Sequence, residues 1–191
     1  MNIYRFEDFV SKEDQALVLK FCSDNPKWKS IAGEKKFSSQ QKNMLIANED
    51  NNHLIGSELM FSVLERYTQK IAEILNKEKI IEGDIFGMPP TLFKYSRGYS
   101  LLAHMDTRYS KWITHASVIY FNDDYSGGEL GFPLLGIDIR PKAGELIIFS
   151  QEADEYLHEI KIIKEGNRYS SATWWGPEEA IEDNTTRFSF E

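Results

Sequence analysis

Beyond Gly83, and most clearly after Pro89-Pro90, the chain becomes a succession of short apolar or alternating runs separated by Gly, Asn, Asp and Pro. The runs TLFKY, YSLLAH, ITHASVIYF, GELGF, GIDIR, GELIIFS, YLHEIKII and RYSSATWW have the length and two-residue period of strands that bury one face. Up to eight such strands point to a β-sandwich or barrel. Two helical segments precede them. Residues 11–22, SKEDQALVLKFC, open on Ser11-x-x-Asp14, which has the form of a capping box, and continue with Ala16, Leu17, Leu19 and Phe21. Residues 56–76 place Leu59, Val63, Ile71 and Ile74 or Leu75 at helical spacing, with Tyr67 between them and Glu65, Gln69, Lys70 and Glu73 left for solvent. The expected class is α+β, mainly β: one domain over 1–191, with helical support over about 1–80 and a β core over about 85–176.

The rest of the composition narrows the partners. At 191 residues the chain can bury a core of ordinary size. Twenty-two basic against thirty acidic side chains give a formal charge of −8, which disfavours broad capture of nucleic acid or an anionic membrane. Cys22 is alone and has no intramolecular disulfide partner, and no apolar leader or spanning stretch is visible, so a cytoplasmic setting is expected. Residues 27–53 are polar and weakly periodic, as in a surface loop acting as a connector or closing over a site. Lys27, Lys29, Lys35 and Lys36 near Trp28 and Phe37 mark the one place where a nucleobase-binding groove could begin.

Within the strand-rich half, AHMD contains His104 and Asp106. Two residues apart on extended backbone, both side chains project to one side and can share a metal ion. Two imidazoles, one carboxylate and open positions make the donor set of non-haem Fe(II) oxygenases, so a second histidine is needed. The candidates are His53, His115 and His158. His53 sits in a polar stretch and His115 on a strand where it can face inward. In YLHEIKII the alternation puts His158 with Ile160 and Ile162 on one apolar face, as a core histidine or as a ligand. Ten residues later, Arg168 shares a strand face with Ser170. A guanidinium on an inner wall needs an anion, either an acidic side chain or a bound carboxylate that its fork can grip at two points.

The stretches FKYSRGYSLLAHMD, VIYFNDDYSGGELGFP, IRPKAGELIIFS and YLHEIKIIKEGNRYSSATWW, taken in order, resemble the catalytic domain of the Fe(II)/2-oxoglutarate-dependent dioxygenases, in the prolyl 4-hydroxylase-like branch. The resemblance covers residues from about 91 to 175. It implies a double-stranded β-helix, or jelly roll, in which His104, Asp106 and His158 hold Fe(II). It also implies that Arg168, Ser170 and the hydroxyl of Tyr95 bind the distal carboxylate of 2-oxoglutarate. The reaction so implied consumes O2, releases succinate and CO2 and hydroxylates an unactivated C–H bond, with ascorbate as a candidate reductant. A peptide or protein carrying a prolyl residue is the implied substrate and partner.

Substrate contact is expected at Leu101 and Trp174, the latter on the Arg168 side of its strand, where packing is an equal alternative. The chain departs from prolyl 4-hydroxylases in three places. Arg168 stands where they usually have Lys, Leu101 stands where they often have a substrate-contacting Tyr, and KWITHASVIYFN offers no counterpart of their substrate-strand Arg. Those departures leave open the same chemistry on a free amino acid, another small molecule or a nucleobase. A non-catalytic β-barrel binding module is the alternative of another class.

Overall fold

Ser11 caps the first helix, α1 (Lys12–Asp24), by accepting the Asp14 N–H at 3.1 Å and donating to the Asp14 carboxylate at 2.9 Å. The return bond of a capping box is replaced by a tyrosine from the second helix, α2 (Ser57–Lys77). The Tyr67 hydroxyl accepts the Ser11 N–H at 3.1 Å and donates to Asp14 at 2.6 Å, so the cap also ties the two helices together. The buried stripe of α2 is Met60, Val63, Leu64, Tyr67, Ile71 and Leu75. Leu59, which the spacing places in that stripe, is 55% exposed, because the stripe's axis runs through Met60 and Leu64 and leaves Leu59 at its margin.

The computed structural model describes residues 2–24, 29–30, 42–46, 57–108 and 110–181. Its strands are β1 (Ile3–Phe6), β2 (Lys29–Ser30), β3 (Lys42–Ile46), β4 (Ile85–Gly87), β5 (Thr91–Ser96), β6 (Leu101–His104), β7 (His115–Tyr120), β8 (Ser126–Gly127), β9 (Leu130–Phe132), β10 (Ile137–Ile139), β11 (Leu146–Ser150), β12 (His158–Ile160), β13 (Ile163–Glu165) and β14 (Asn167–Pro177). The major sheet has eight strands in the order β1-β11-β7-β14-β5-β3-β2, with β4 also paired to β14. The minor layer is β10-β9-β12-β6, with β13-β8 as a separate pair, and every pairing is antiparallel. This is a mainly β jelly roll with helices on one side. Among the described residues no helix is long and apolar enough to cross a membrane.

Alternation along the major sheet separates two cores. Leu92, Ile119, Leu146, Ile148 and Trp175 pack with α1 and α2 on the outer face. Ala116, Tyr120, Ile147 and Phe149 face Leu130, Phe132 and Ile139, and Phe93 and Tyr95 face Ile160 and Ile163. Each fully buried side chain of this kind contributes about 1.5–3 kcal/mol, so the helices clamp one face of the sheet while the other face lines the interior.

Three expectations need correction. The first 80 residues are not helical support alone: β1 completes one end of the major sheet, while β3 pairs with β5. The 27–53 stretch therefore contributes short strands at 29–30 and 42–46, the second of them the apolar run Met44–Ile46 after Lys42 and Asn43. The remainder of that stretch, including Trp28, Phe37 and His53, lies outside the described residues. YLHEIKII is also two strands. Lys161 N–H bonds the Glu129 carbonyl and Gly128 N–H bonds the Ile162 carbonyl, as pairing passes from β9 to β8. The alternation resets there, which leaves Ile162 51% exposed and buries Ile163 in its place.

Candidate metal centre and anion pocket

The register of β12 on β6 puts His158 opposite His104. Their rings lie 4.3 Å apart between centroids, and Asp106 follows in a 3-10 turn over Asp106–Arg108. One ligand atom from each of His104, Asp106 and His158 falls within 4.8 Å of the others. Nε2 of His104 is 3.5 Å from Asp106 Oδ1 and Nε2 of His158 is 3.7 Å from Oδ2. A lone histidine on an apolar strand is thus placed beside a carboxylate by backbone pairing.

Each imidazole is oriented from its far nitrogen. His104 Nδ1 lies 2.9 Å from the Leu102 carbonyl oxygen, and His158 Nδ1 lies 3.3 Å from the Tyr156 carbonyl oxygen. A carbonyl only accepts, so the Nδ1–H tautomer satisfies both contacts and leaves the two Nε2 lone pairs facing Asp106. Burial disfavours the His158 imidazolium and pulls its pKa down to about 4, against the attraction of Asp106. Burial also opposes ionisation of Asp106. The polar surroundings supplied by His104, His158 and Trp174 outweigh that, and hold the carboxyl below its usual range. Phe149 packs edge-on against His158 at 4.7 Å, closing the apolar side.

Further inside, β14 pairs Arg168 with Tyr95 of β5 and Ser170 with both Phe93 of β5 and Tyr120 of β7. The Arg168 guanidinium lies 5.2 Å from the Tyr95 ring centre and 4.8 Å from that of Tyr120, and Nη1 donates to the Gly128 carbonyl at 2.9 Å. That carbonyl is delivered by Gly127 and Gly128, whose φ angles of 73° and 69° suit glycine. Arg168 is 2% exposed, yet no carboxylate among the described residues forms an ion pair with it. Its Nε, the Ser170 hydroxyl and the hydroxyls of Tyr99, Tyr120 and Tyr125 are buried without hydrogen-bond partners. Leaving buried donors unpaired costs about 1–3 kcal/mol each. Desolvation raises the tyrosine hydroxyls, Tyr120 to about 12, so they remain protonated donors. A cation ringed by neutral donors is chemically matched to a carboxylate.

The other sequence candidates are also located. His115 is in register with Trp175 and Ser150, on the face turned away from the triad. Its Nδ1 meets Thr114 Oγ1 at 3.1 Å, and burial lowers its pKa to about 4. Leu101 sits opposite Ile160 and packs with Phe93, Tyr95 and Tyr99. Trp174 packs between the two inner clusters as well as reaching Asp106. Two residues escaped sequence reading. Tyr120 had a usable signal, since two-residue spacing puts it on the face of Ala116 and Val118. Gln151, immediately after β11, had none: its Oε1 accepts the Asp106 N–H at 2.9 Å.

Two imidazoles and a carboxylate thus converge in a jelly roll beside a buried arginine, a donor set suited to a metal ion next to a pocket suited to a carboxylate. Residues 90–176 match the family model of the 2OG-Fe(II) oxygenase superfamily. The chain is 31% identical over 78 residues, 37% of its length, to mouse (Mus musculus) prolyl 3-hydroxylase 3, of which the match spans only 10%. The fold is shared with the viral collagen prolyl hydroxylase of Paramecium bursaria Chlorella virus-1, solved as a 2OG complex, with a TM-score of 0.67 and 17% identity. The alignment covers 93% of this chain and 96% of the viral one. A Trichoplax adhaerens prolyl hydroxylase, solved with a hypoxia inducible factor peptide fragment, gives a TM-score of 0.68 at 14% identity over 94% of this chain and 85% of its own. A Pseudomonas putida prolyl-4-hydroxylase gives 0.64 at 17% identity, over 93% of both chains.

Proposed function

We propose that the chain is an Fe(II)- and 2-oxoglutarate-dependent dioxygenase that hydroxylates a prolyl residue of a peptide or protein. The observation carrying this reading is the pairing of two incomplete sites: three convergent metal-ligand atoms, and a buried Arg168 with no carboxylate partner among the described residues. The donor chemistry fits both groups, since imidazole and carboxylate suit iron while a guanidinium with hydroxyl donors suits a carboxylate. The prolyl assignment draws on the activities by which the similar proteins are named. Leu101 is the reason to test free amino acids alongside peptides.

In this reading His104 and His158 offer Nε2 to the metal, each steered by a carbonyl behind it. Asp106 is held ionised and supplies the third ligand. Arg168, Ser170, Tyr95 and Tyr120 bind the far carboxylate of 2-oxoglutarate, and the stacked rings of Phe93, Tyr95 and Tyr99 exclude water from that end. Bound iron with 2-oxoglutarate and O2 supplies the oxidative chemistry, giving succinate, CO2 and one oxygen inserted into a C–H bond.

The test is turnover. Purified protein with Fe(II), 2-oxoglutarate and a panel of proline-containing peptides and free amino acids should release succinate and add one oxygen to a prolyl peptide, and His158→Ala should do neither. Succinate release with oxygen added only to a free amino acid would overturn the peptide assignment. No 2-oxoglutarate turnover with any substrate would sink the dioxygenase assignment.

A further inference from the structure

We infer that Gln151 is a positioning residue that locks the Asp106 ligand in place against the strand carrying His158; the inference rests on the proposed metal site. Gln151 is 1% exposed, immediately beyond β11, and takes no part in either sheet ladder. Its own N–H is anchored on the Thr114 carbonyl at 2.7 Å. From that anchor the side chain crosses to the metal-ligand turn, where Oε1 accepts the backbone N–H of Asp106 at 2.9 Å. The other arm of the amide, Nε2, stands 3.5 Å from His158 Nδ1.

The Asp106 N–H can only donate, so it fixes which way the Gln151 amide points. With the amide so oriented, Nε2 and His158 Nδ1 both carry hydrogen, so their approach is a packing contact and the bond that positions is the one to Asp106. Asp106 needs such a restraint. It lies at the start of a short 3-10 turn just after β6 ends, so no sheet ladder holds its backbone as the His158–His104 pairing holds the imidazoles. Its carboxylate can stay near both Nε2 atoms only while that turn keeps its orientation. Groups behind a ligand commonly change metal affinity by about 10–100-fold when removed.

Gln151→Met keeps the volume and deletes the acceptor, whereas Gln151→Glu keeps an oxygen facing the Asp106 N–H. Titration of the metal-free protein with Co(II), followed by its visible spectrum, should show binding weakened about 10–100-fold and an altered ligand-field band for Gln151→Met. Gln151→Glu should recover affinity to within about threefold of the unsubstituted protein, because a charge-assisted acceptor replaces the amide. Unchanged affinity and spectrum in Gln151→Met, or Gln151→Glu as weak as Gln151→Met, overturns the positioning role. His158→Ala is run beside them: if it binds Co(II) like the unsubstituted protein, the metal-site reading itself fails, a separate result. Should Gln151→Met not fold, amide exchange in the unsubstituted metal-free protein decides, because a locked Asp106 N–H exchanges slowly and fast exchange removes the lock.

Discussion

Replacing Arg168 by Met should weaken co-substrate binding severely while leaving the metal-free fold close to its original stability. The first half follows from what the pocket offers. Truncating one partner of a buried, hydrogen-bonded charge pair costs about 2–5 kcal/mol, or about 30–5,000-fold in the 2-oxoglutarate dissociation constant. The second half follows from what Arg168 lacks when no co-substrate is present. Its removal deletes one charged hydrogen bond to Gly128, worth about 1.5–3 kcal/mol, and contacts with two tyrosine rings at about 0.5–2 kcal/mol each. It also relieves a buried charge with an unpaired Nε, a penalty of several kcal/mol. These terms oppose one another, so the unfolding free energy should move by less than about 2 kcal/mol. An arginine serving as half of a structural ion pair would instead cost about 3–5 kcal/mol. Two measurements decide: anaerobic titration of Fe(II)-loaded protein with 2-oxoglutarate, read from charge-transfer absorption, and urea unfolding of the metal-free protein. A dissociation constant within about threefold of the original, or a stability loss above about 3 kcal/mol, would refute the assignment of Arg168 to a bound carboxylate.

Tyr120→Phe removes an unpaired buried hydroxyl, so it should leave urea unfolding unchanged or slightly improved and raise the 2-oxoglutarate dissociation constant about tenfold or more, as for a lost hydrogen bond to a charged acceptor. Trp174→Phe keeps an aromatic ring but loses the donor to Asp106, and should weaken Co(II) binding severalfold; equal affinity would leave Trp174 a packing residue. His115 is neutral when folded, with a pKa lowered by burial to about 4 from an ordinary value of 6.5. Its contribution to metal-free stability is therefore complete above pH 6.5 and is lost as pH falls through about 4, and His115→Gln should flatten that slope in urea titrations across the interval. Ser11→Ala should cost about 1 kcal/mol through the lost cap and leave Co(II) binding untouched.

The convergence of the candidate residues was legible where chemistry and period coincide. His104 and Asp106 share a side because two residues separate them, His158 sits on an apolar face, and Arg168 is too costly to bury without purpose. What could not be read was register. Nothing in YLHEIKII says that His158 will lie opposite His104, because cross-strand pairing is set by the turns and bulges between β9, β12 and β13. The same gap explains Ile162: a strand that changes partners resets its alternation, and the sequence shows only an unbroken apolar run. Gln151 was invisible because a polar residue after a strand looks like any loop residue until the fold shows that it is buried. β1 and β3 were missed because their strand character comes from neighbouring edges more than from their own composition.

The two faces of β14 divide labour by parity, and that has a consequence for how the protein tolerates inherited change. Even positions, from Arg168 through Ser170 to Trp174, look into the barrel interior, while Trp175, with its indole N–H on Ser117, belongs to the layer under the helices. A saturation library across 167–175, sorted separately for abundance and for turnover, should resolve into interleaved stripes. Variants at one parity would accumulate as well-expressed, silent protein, and variants at the other would disappear from the soluble pool. Arg168 and Ser170 are the positions on this segment where a change should alter what the interior binds more than whether the barrel stands, whereas a side chain at Gly176 would collide with the Trp112 carbonyl.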